Sequence, residues 1–180
     1  DQKVILIKIK QNKNATENEK KGANFYNFAK SNLLTDLNFL EKNIIENKKQ
    51  NQSFMDEFLH GMQLKSYEFN KYKTKRETHE ISINVVFKTK IPLKNKNNRF
   101  NSLLEGTNFT KDLVSEPGNI LHPDEYAKRI LKLKKIGLKI KILNDKKLKK
   151  LGMGALLGVG QGSVRGSYLV TIEWNGNKSK

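Results

Sequence analysis

Four carboxylates lie close together in the sequence around the Pro117-Gly118 pair, and they are Asp112, Glu116, Asp124 and Glu125. Carboxylates can act as general acids and bases or as metal ligands. Asp124 and Glu125, however, follow Pro123 in what reads as the first turn of a helix, where the helix dipole favours acids. No nucleophile and base stand at an identifiable spacing. The pattern therefore favours a structural role for these acids, with a functional role for Glu116-Pro117 as the alternative.

The three histidines do not form a recognisable ligand set. His79-Glu80 begins like the zinc motif HExxH, but Ile83 stands where the second histidine is needed and the segment reads as a strand. We expect His60 to be a surface or half-buried helix residue and His122 to lie in a loop just before a helix. The sequence has no cysteine, so it forms no disulfide and no thiolate metal site.

A glycine-rich segment runs from Leu151 to Gly166 and contains six glycines but no acid and no lysine. It is not a phosphate loop, because the GxxxxGK[ST] pattern is absent and the GxGxG at Gly158 lacks the third glycine of a dinucleotide site. The sequence instead predicts a buried, packed glycine turn that leads into a strand.

The composition is strongly basic, with a net charge of +17 over 180 residues. Such a charge indicates nucleic acid or another anionic surface. Lysine far outnumbers arginine, and asparagine is abundant throughout, which favours a compositional bias spread over solvated faces. No apolar run approaches the length of a membrane span, and the first residues do not resemble a signal peptide. The chain reads as an internal part of a larger protein.

Hydrophobic periodicity predicts two groups of elements. The first group is the strand Val4–Ile9, a helix from Glu17 to Ser31, a weak strand Leu33–Leu40, a polar loop Glu41–Gln52, a helix Ser53–Phe69 capped by Ser53, and the strand Glu80–Phe87. Gly61 inside the second helix indicates close packing.

The second group begins with a helix over Asn98–Val114, which ends before Pro117. There follow a helix from Pro123 to the C-cap Gly137, the strand Leu138–Leu143, a short helix Asp145–Leu151, and the strand Tyr168–Trp174. The inner face of the helix that starts at Pro123 is predicted to be Tyr126, Ala127, Ile130, Leu131 and Leu133. Helices and strands that alternate in this way are typical of an α/β sheet.

Three segments resemble the leucyl (cytosol) aminopeptidase family. The run Gly61–Lys75 (GMQLKSYEFNKYKTK) is similar to the family's "Y-x-F-x-x-Y-K-T" helix end. Residues Lys111–Tyr126 (KDLVSEPGNILHPDEY) are similar to its "R-D-L-x-x-x-P-x-N-x-x-x-P" run, with Lys111 where arginine is common. Leu151–Gly176 resembles its "L-G-M-G-x-L-L-x-V-x-x-G-S" block.

The resemblance implies a fold and a domain division. The fold class is α/β, with part of a small mixed-sheet N-terminal domain over 1–92, a linker helix over 93–115, and the truncated start of the catalytic aminopeptidase domain over 116–180.

The resemblance also implies an activity. Members are hydrolases, usually cytoplasmic hexamers, that remove N-terminal residues, leucine favoured, from peptides with two divalent metal ions, manganese or zinc. Their ligands, a lysine, aspartates and a glutamate, lie in "G-K-G-x-x-F-D-T-G-G" and "N-T-D-A-E-G-R" blocks, and neither block occurs in this sequence.

No catalytic or metal residue can therefore be assigned to any position of this chain, and its substrate-binding residues stay unknown. We expect this segment alone to be inactive and to bind no metal. Its expected partners are peptide substrates and copies of itself, with weak DNA binding and no membrane. Two alternatives stay open: a basic nucleic-acid-binding module, and a non-catalytic oligomerisation module of the same fold.

Overall fold

The structure, a computed structural model, describes residues 14–40, 51–74, 81–86 and 97–176. The chain divides into two compact units, 1–112 and 113–180. The predicted strand Val4–Ile9 and most of the predicted loop Glu41–Gln52 lie outside the described residues. In the described part of the chain, every helix is too short or too polar to cross a membrane.

The first unit contains helices and a parallel pair of strands. Its elements are α1 (Ala15–Ser31), β1 (Asp36–Leu40), α2 (Asn51–Ser66), β2 (Ser82–Val86) and α3 (Asn97–Ser115), the last of which continues into the second unit. β1 pairs with β2 in parallel, and the register places Asp36 opposite Ser82 and Leu40 opposite Val86. The predicted helices starting at Glu17, Ser53 and Asn98 and the predicted strands Leu33–Leu40 and Glu80–Phe87 are confirmed as elements, with shorter strands than the sequence indicates.

Two glycines bring α1 and α2 into direct backbone contact. A Cβ atom at Gly22 would lie 1.9 Å from the carbonyl oxygen of Phe58, and one at Gly61 would lie 2.0 Å from the carbonyl oxygen of Glu19. No side chain fits at either position, so glycine is required by close approach rather than by an unusual φ. The close packing predicted at Gly61 is confirmed.

The core of the first unit lies where these two helices meet β1. Its buried members are Tyr26, Ala29, Leu37, Phe54, Phe58 and Met62. The Phe58 ring is tilted against Phe25 and Phe54, with centroids 5.7 and 5.9 Å away. Tilted aromatic pairs at this separation add to the stabilisation that burial provides.

Both ends of α2 differ from prediction. The helix includes Asn51 and Gln52, so the predicted N-cap at Ser53 is wrong, because polar residues before a capping residue can themselves adopt helical angles. The helix ends at Ser66 rather than Phe69, and the Ser66 hydroxyl donates to the carbonyl of Gln63 at 2.9 Å. A serine hydroxyl that bonds back to the last turn competes with continuation of the helix.

The second unit is built on an antiparallel strand pair. Its elements are α4 (Pro123–Leu131), a 3₁₀ helix (Lys132–Ile136), β3 (Lys139–Asn144), α5 (Asp145–Lys150), α6 (Gly154–Gly160) and β4 (Tyr168–Glu173). β3 pairs with β4, α4 contacts both strands, and α5 contacts β3. Gly137 has a φ of +93° and ends the 3₁₀ helix, so the predicted stop at this glycine is confirmed. The predicted α/β class is confirmed.

The predicted inner face of α4 is only partly correct. Ala127 and Ile130 are buried, whereas Tyr126 and Leu131 are 43% and 37% exposed. A helix of nine residues that lies on two strands buries only a narrow stripe, and from Lys132 the tighter 3₁₀ winding rotates the following residues away from that stripe.

The glycine-rich segment is not the buried turn that the sequence predicts. Residues 154–160 form the short helix α6, and the Leu157 N–H donates to the Met153 carbonyl at 3.2 Å. Leu151 and Val159 are 60% and 89% exposed. The prediction was wrong because the backbone of this segment forms a local helix at the surface instead of a packed turn. Only Gly152 of this segment has a positive φ, +69°.

Candidate functional site

The turn before α4 brings together the acids that the sequence singled out in the second unit. The N–H groups of Ile120 and Leu121 both donate to the Pro117 carbonyl at 2.9 Å, which closes the turn. His122 then occupies the N-cap position with extended backbone angles, and its carbonyl accepts from the Tyr126 N–H. Pro123 suits the first helical position, because an N–H group there would have no partner within the helix and proline has no N–H to leave unpaired.

Glu116 is locked in a buried ion pair. Its side chain is 1% exposed and accepts a hydrogen bond of 2.7 Å from Arg129 Nη1, while Arg129 Nε donates to Glu125 at 3.2 Å. Hydrogen bonds to Glu116 and Glu125 raise the pKa of Arg129 above its ordinary value. A carboxylate paired with a permanent cation is a poor general base, so this geometry fits a structural role that fastens the turn to α4.

His122 and Asp124 form a second, more accessible pair. His122 Nδ1 lies within hydrogen-bonding distance of Asp124 Oδ1, and Arg165 Nη1 lies 3.9 Å from the same oxygen. Burial alone would raise the pKa of Asp124, but the hydrogen bond from His122, a backbone hydrogen bond and the charges of His122 and Arg165 together lower it. The carboxylate is therefore charged at neutral pH.

Asp112 does not join this group, although it is close in sequence. It lies in the first unit, where its Oδ1 accepts a 2.8 Å hydrogen bond from the Tyr67 hydroxyl. The adjacent Lys111 Nζ donates to the Leu64 carbonyl at 2.8 Å and lies 5.0 Å from the centre of the Tyr67 ring. Leu64 is in the last turn of α2, where carbonyls lack helical partners, so Lys111 caps that helix.

We name Tyr67, Lys111 and Asp112 the α2–α3 clamp. The three residues come from two of the segments that resemble the aminopeptidase family, and the clamp is the contact by which those segments meet. Sequence reasoning did not find it, because the partners are 45 residues apart and no local pattern relates them. The only signal in the sequence was that the run with Tyr67 and the run that begins with Lys111 and Asp112 occur in the same chain.

The structure corrects the prediction for His60. This residue is only 5% exposed, its Nδ1 lies 2.9 Å from Glu19 Oε1, and its ring lies 4.9 Å from that of Phe100. It is buried because Gly22 packs against the backbone of Phe58 and Gly61 against that of Glu19, which brings α1 close over α2. His122 lies before α4 as predicted, and His79 lies outside the described residues.

The described residues do not fit a two-metal centre. Among them no group of three or more histidine and carboxylate side chains could hold a metal ion. The acids nearest to one another are already engaged, Glu116 and Glu125 by Arg129 and Asp124 by His122. We therefore derive no catalytic step from these side chains.

Comparison with known proteins identifies relatives of the chain. Residues 108–180 match the model of the cytosol aminopeptidase family, catalytic domain. The chain is 40% identical over 131 residues to a probable cytosol aminopeptidase of Sinorhizobium medicae. The alignment covers 69% of the chain and 26% of that protein. A probable cytosol aminopeptidase of Brucella anthropi is 43% identical over 127 residues. The chain thus spans about a quarter of the length of these relatives.

Solved structures agree at the level of the fold. A mutant of tomato leucine aminopeptidase superposes with a TM-score of 0.73 at 20% identity over 87% of the chain and 32% of that protein. The bottromycin maturation enzyme BotP, solved in complex with Mn, gives 0.71 at 19% identity over 90% of the chain and 34% of that protein. The resemblance predicted from the sequence is confirmed. The chain is related to the cytosol aminopeptidases, and its residues 108–180 match the catalytic domain of that family.

Proposed function

We propose that this chain is part of a metal-dependent aminopeptidase that hydrolyses N-terminal residues, leucine favoured, from peptides. In this proposal residues 1–92 are the end of an N-terminal domain, 93–115 a linker helix, and 116–180 the start of the catalytic domain. The chain contributes the scaffold that leads to the catalytic centre, and the residues that bind metal and peptide come from other parts of the enzyme.

The match of residues 108–180 to the family's catalytic domain supports this proposal most directly. The 40% identity covers 131 residues, so the similarity includes residues outside 108–180. The contact between two of the resembling segments through the α2–α3 clamp adds a physical reason why those motifs occur together.

The whole enzyme would use two divalent ions, manganese or zinc, to activate water and to polarise the scissile carbonyl. This segment would bind neither ion, since no group of three or more histidine and carboxylate side chains among its described residues could hold a metal ion. We further propose that the enzyme is a cytoplasmic homo-oligomer, a hexamer as is usual in the family.

An assay of the 180-residue chain with leucine p-nitroanilide, with and without Mn²⁺ or Zn²⁺, tests the assignment of the chemistry. We expect no metal-dependent turnover and no metal retained after gel filtration, with circular dichroism as the control for folding. A folded chain that hydrolyses the substrate only when metal is added would contradict the proposal that this segment lacks the catalytic residues.

A further inference from the structure

Asn175 is the one asparagine of the chain that is followed directly by glycine. An asparagine side chain can react with the backbone nitrogen of the next residue, and glycine hinders that approach least because it has no Cβ atom. Every other asparagine is followed by a residue that carries a side chain. The sequence therefore gives Asn175 the freest access to the nitrogen of its neighbour.

The backbone around Asn175 is exposed and irregular. β4 ends at Glu173, and Asn175 and Gly176 follow it outside any helix or strand. Within the described part of the chain, neither the Asn175 side chain nor the Gly176 N–H takes part in a hydrogen bond. A side chain and an amide that no partner holds can reach the near-attack arrangement that an intramolecular reaction needs.

A tight hairpin turn does not account for the Asn-Gly pair. Asn-Gly is common as the two central residues of a β-hairpin loop, where both residues need a positive φ. Among the described residues, the glycines with a positive φ are Gly137 and Gly152, and the other residue with a positive φ is Leu33. Asn175 and Gly176 therefore do not adopt the backbone angles of that turn.

Two asparagines in other elements show the contrast. Asn144 caps α5, where its Oδ1 accepts a hydrogen bond of 3.3 Å from the Lys147 N–H. Asn18 lies in α1, is 1% exposed and donates to Glu57 Oε2 at 2.7 Å. Each of these side chains would have to give up its contact before its amide carbon could approach the next backbone nitrogen.

We propose that Asn175 is a site of spontaneous covalent modification, at which asparagine is converted to aspartate and isoaspartate. The Gly176 nitrogen forms a bond to Asn175 Cγ, the bond from Cγ to the side-chain nitrogen breaks, and ammonia leaves with the proton of the backbone amide. Water then opens the resulting succinimide ring. Cleavage of the bond from Cγ to the Gly176 nitrogen gives aspartate, and cleavage at the main-chain carbonyl carbon gives isoaspartate, whose backbone runs through Cγ.

Trp174 lies where it can report this reaction. A Cβ atom built on Gly176 would lie 2.5 Å from Trp174 Nε1, so the indole ring lies directly against the Gly176 backbone. Trp174 is also the single tryptophan of the chain. The reaction replaces a neutral amide by a carboxylate and, in isoaspartate, lengthens the backbone between the ring and Gly176. The tryptophan fluorescence of the chain should therefore change as Asn175 is converted.

Incubation of the folded 180-residue chain in mildly alkaline buffer, followed by digestion and tandem mass spectrometry, tests the proposal. We expect Asn175 to be converted at the rate of a free peptide with the sequence of residues 173–177, while Asn144 stays intact over the same period. Gly176→Val should slow the conversion by roughly a hundredfold, because a β-branched side chain crowds the near-attack geometry. Asn175→Gln keeps the glycine and should abolish the fluorescence change, which in the original chain should follow the rate of the mass change.

The proposal is overturned if Asn175 stays intact in the folded chain, and conversion of the free peptide in the same buffer would then show that the fold prevents the reaction. Conversion of Gly176→Val as fast as that of the original chain would also overturn it. Unchanged emission from the fully converted chain would overturn the part that concerns Trp174. Any of these results leaves the aminopeptidase proposal unaffected, because that proposal assigns no role to Asn175.

Discussion

At the residue scale, the position of a side chain in the fold decides whether its chemistry can be used. Glu116 stands beside a Pro-Gly turn, where a carboxylate could serve a catalytic site, yet it is buried against Arg129. His60 was expected at the surface or half-buried on its helix, yet it is buried beside Glu19. In both cases a partner distant in sequence fixes the role, through contacts that residue type alone does not reveal.

The buried pair gives a quantitative prediction. Arg129→Met should lower the free energy of unfolding by about 3–5 kcal/mol, because it removes the guanidinium that pairs with the buried Glu116 carboxylate. The double variant Glu116→Leu with Arg129→Met should recover much of that loss, since it removes the buried carboxylate together with its cation. Urea denaturation of the three proteins measures both effects. Equal stability of the single and double variants would show that the charge is not buried as described.

The glycine contact between α1 and α2 gives a second prediction. Gly61→Ala should destabilise the chain by about 1–3 kcal/mol, because its Cβ would overlap the Glu19 carbonyl. Gly106→Ala is the matched control: it lies inside α3 with open space around it, and alanine there should stabilise by about 0.5–1 kcal/mol. Urea midpoints that shift in the same direction for both variants would contradict the close approach.

At the element scale, local sequence signals predicted most helices and strands, whereas contacts between residues distant in sequence were not predicted. The end of the 3₁₀ helix at Gly137 and the start of α4 at Pro123 follow from the backbone preferences of those residues, and the alternation of Ile140 with its lysine neighbours gave β3. The helix within the glycine-rich segment and the α2–α3 clamp were missed. A glycine-rich segment shows little of the hydrophobic periodicity from which a helix is predicted. The clamp joins residues that only the tertiary fold brings together.

The clamp gives the prediction that belongs to this scale. Lys111→Met should destabilise the chain by about 1.5–3 kcal/mol, because it removes a charged donor from the Leu64 carbonyl and the cation above Tyr67. Lys111→Arg should stay within about 0.5 kcal/mol of the original, since guanidinium can make both contacts. Thermal and urea unfolding of the two variants measure the difference. A methionine variant as stable as the arginine variant would mean that the contacts contribute nothing.

At the scale of the whole molecule, the chain divides into two compact units that differ in their packing and in the similarity of their sequences to known proteins. The first is held by close helix packing, and the second is a small α/β unit whose sequence matches an aminopeptidase catalytic domain. A two-stranded sheet is marginal on its own, and exposed residues such as Trp174 at 69% leave apolar area uncovered. The second unit is therefore expected to show its function when it is joined to the remainder of such a domain.

A chimera tests this central claim most directly. The segment of the Sinorhizobium medicae relative that matches residues 108–180 is replaced by those residues, and a scrambled segment of equal composition is the control. We predict that the chimera keeps metal-dependent hydrolysis of leucine p-nitroanilide with a kcat/KM within about a hundredfold of the parent, or roughly 2.7 kcal/mol, while the scrambled control is inactive. A folded chimera with no activity above the control would contradict the claim.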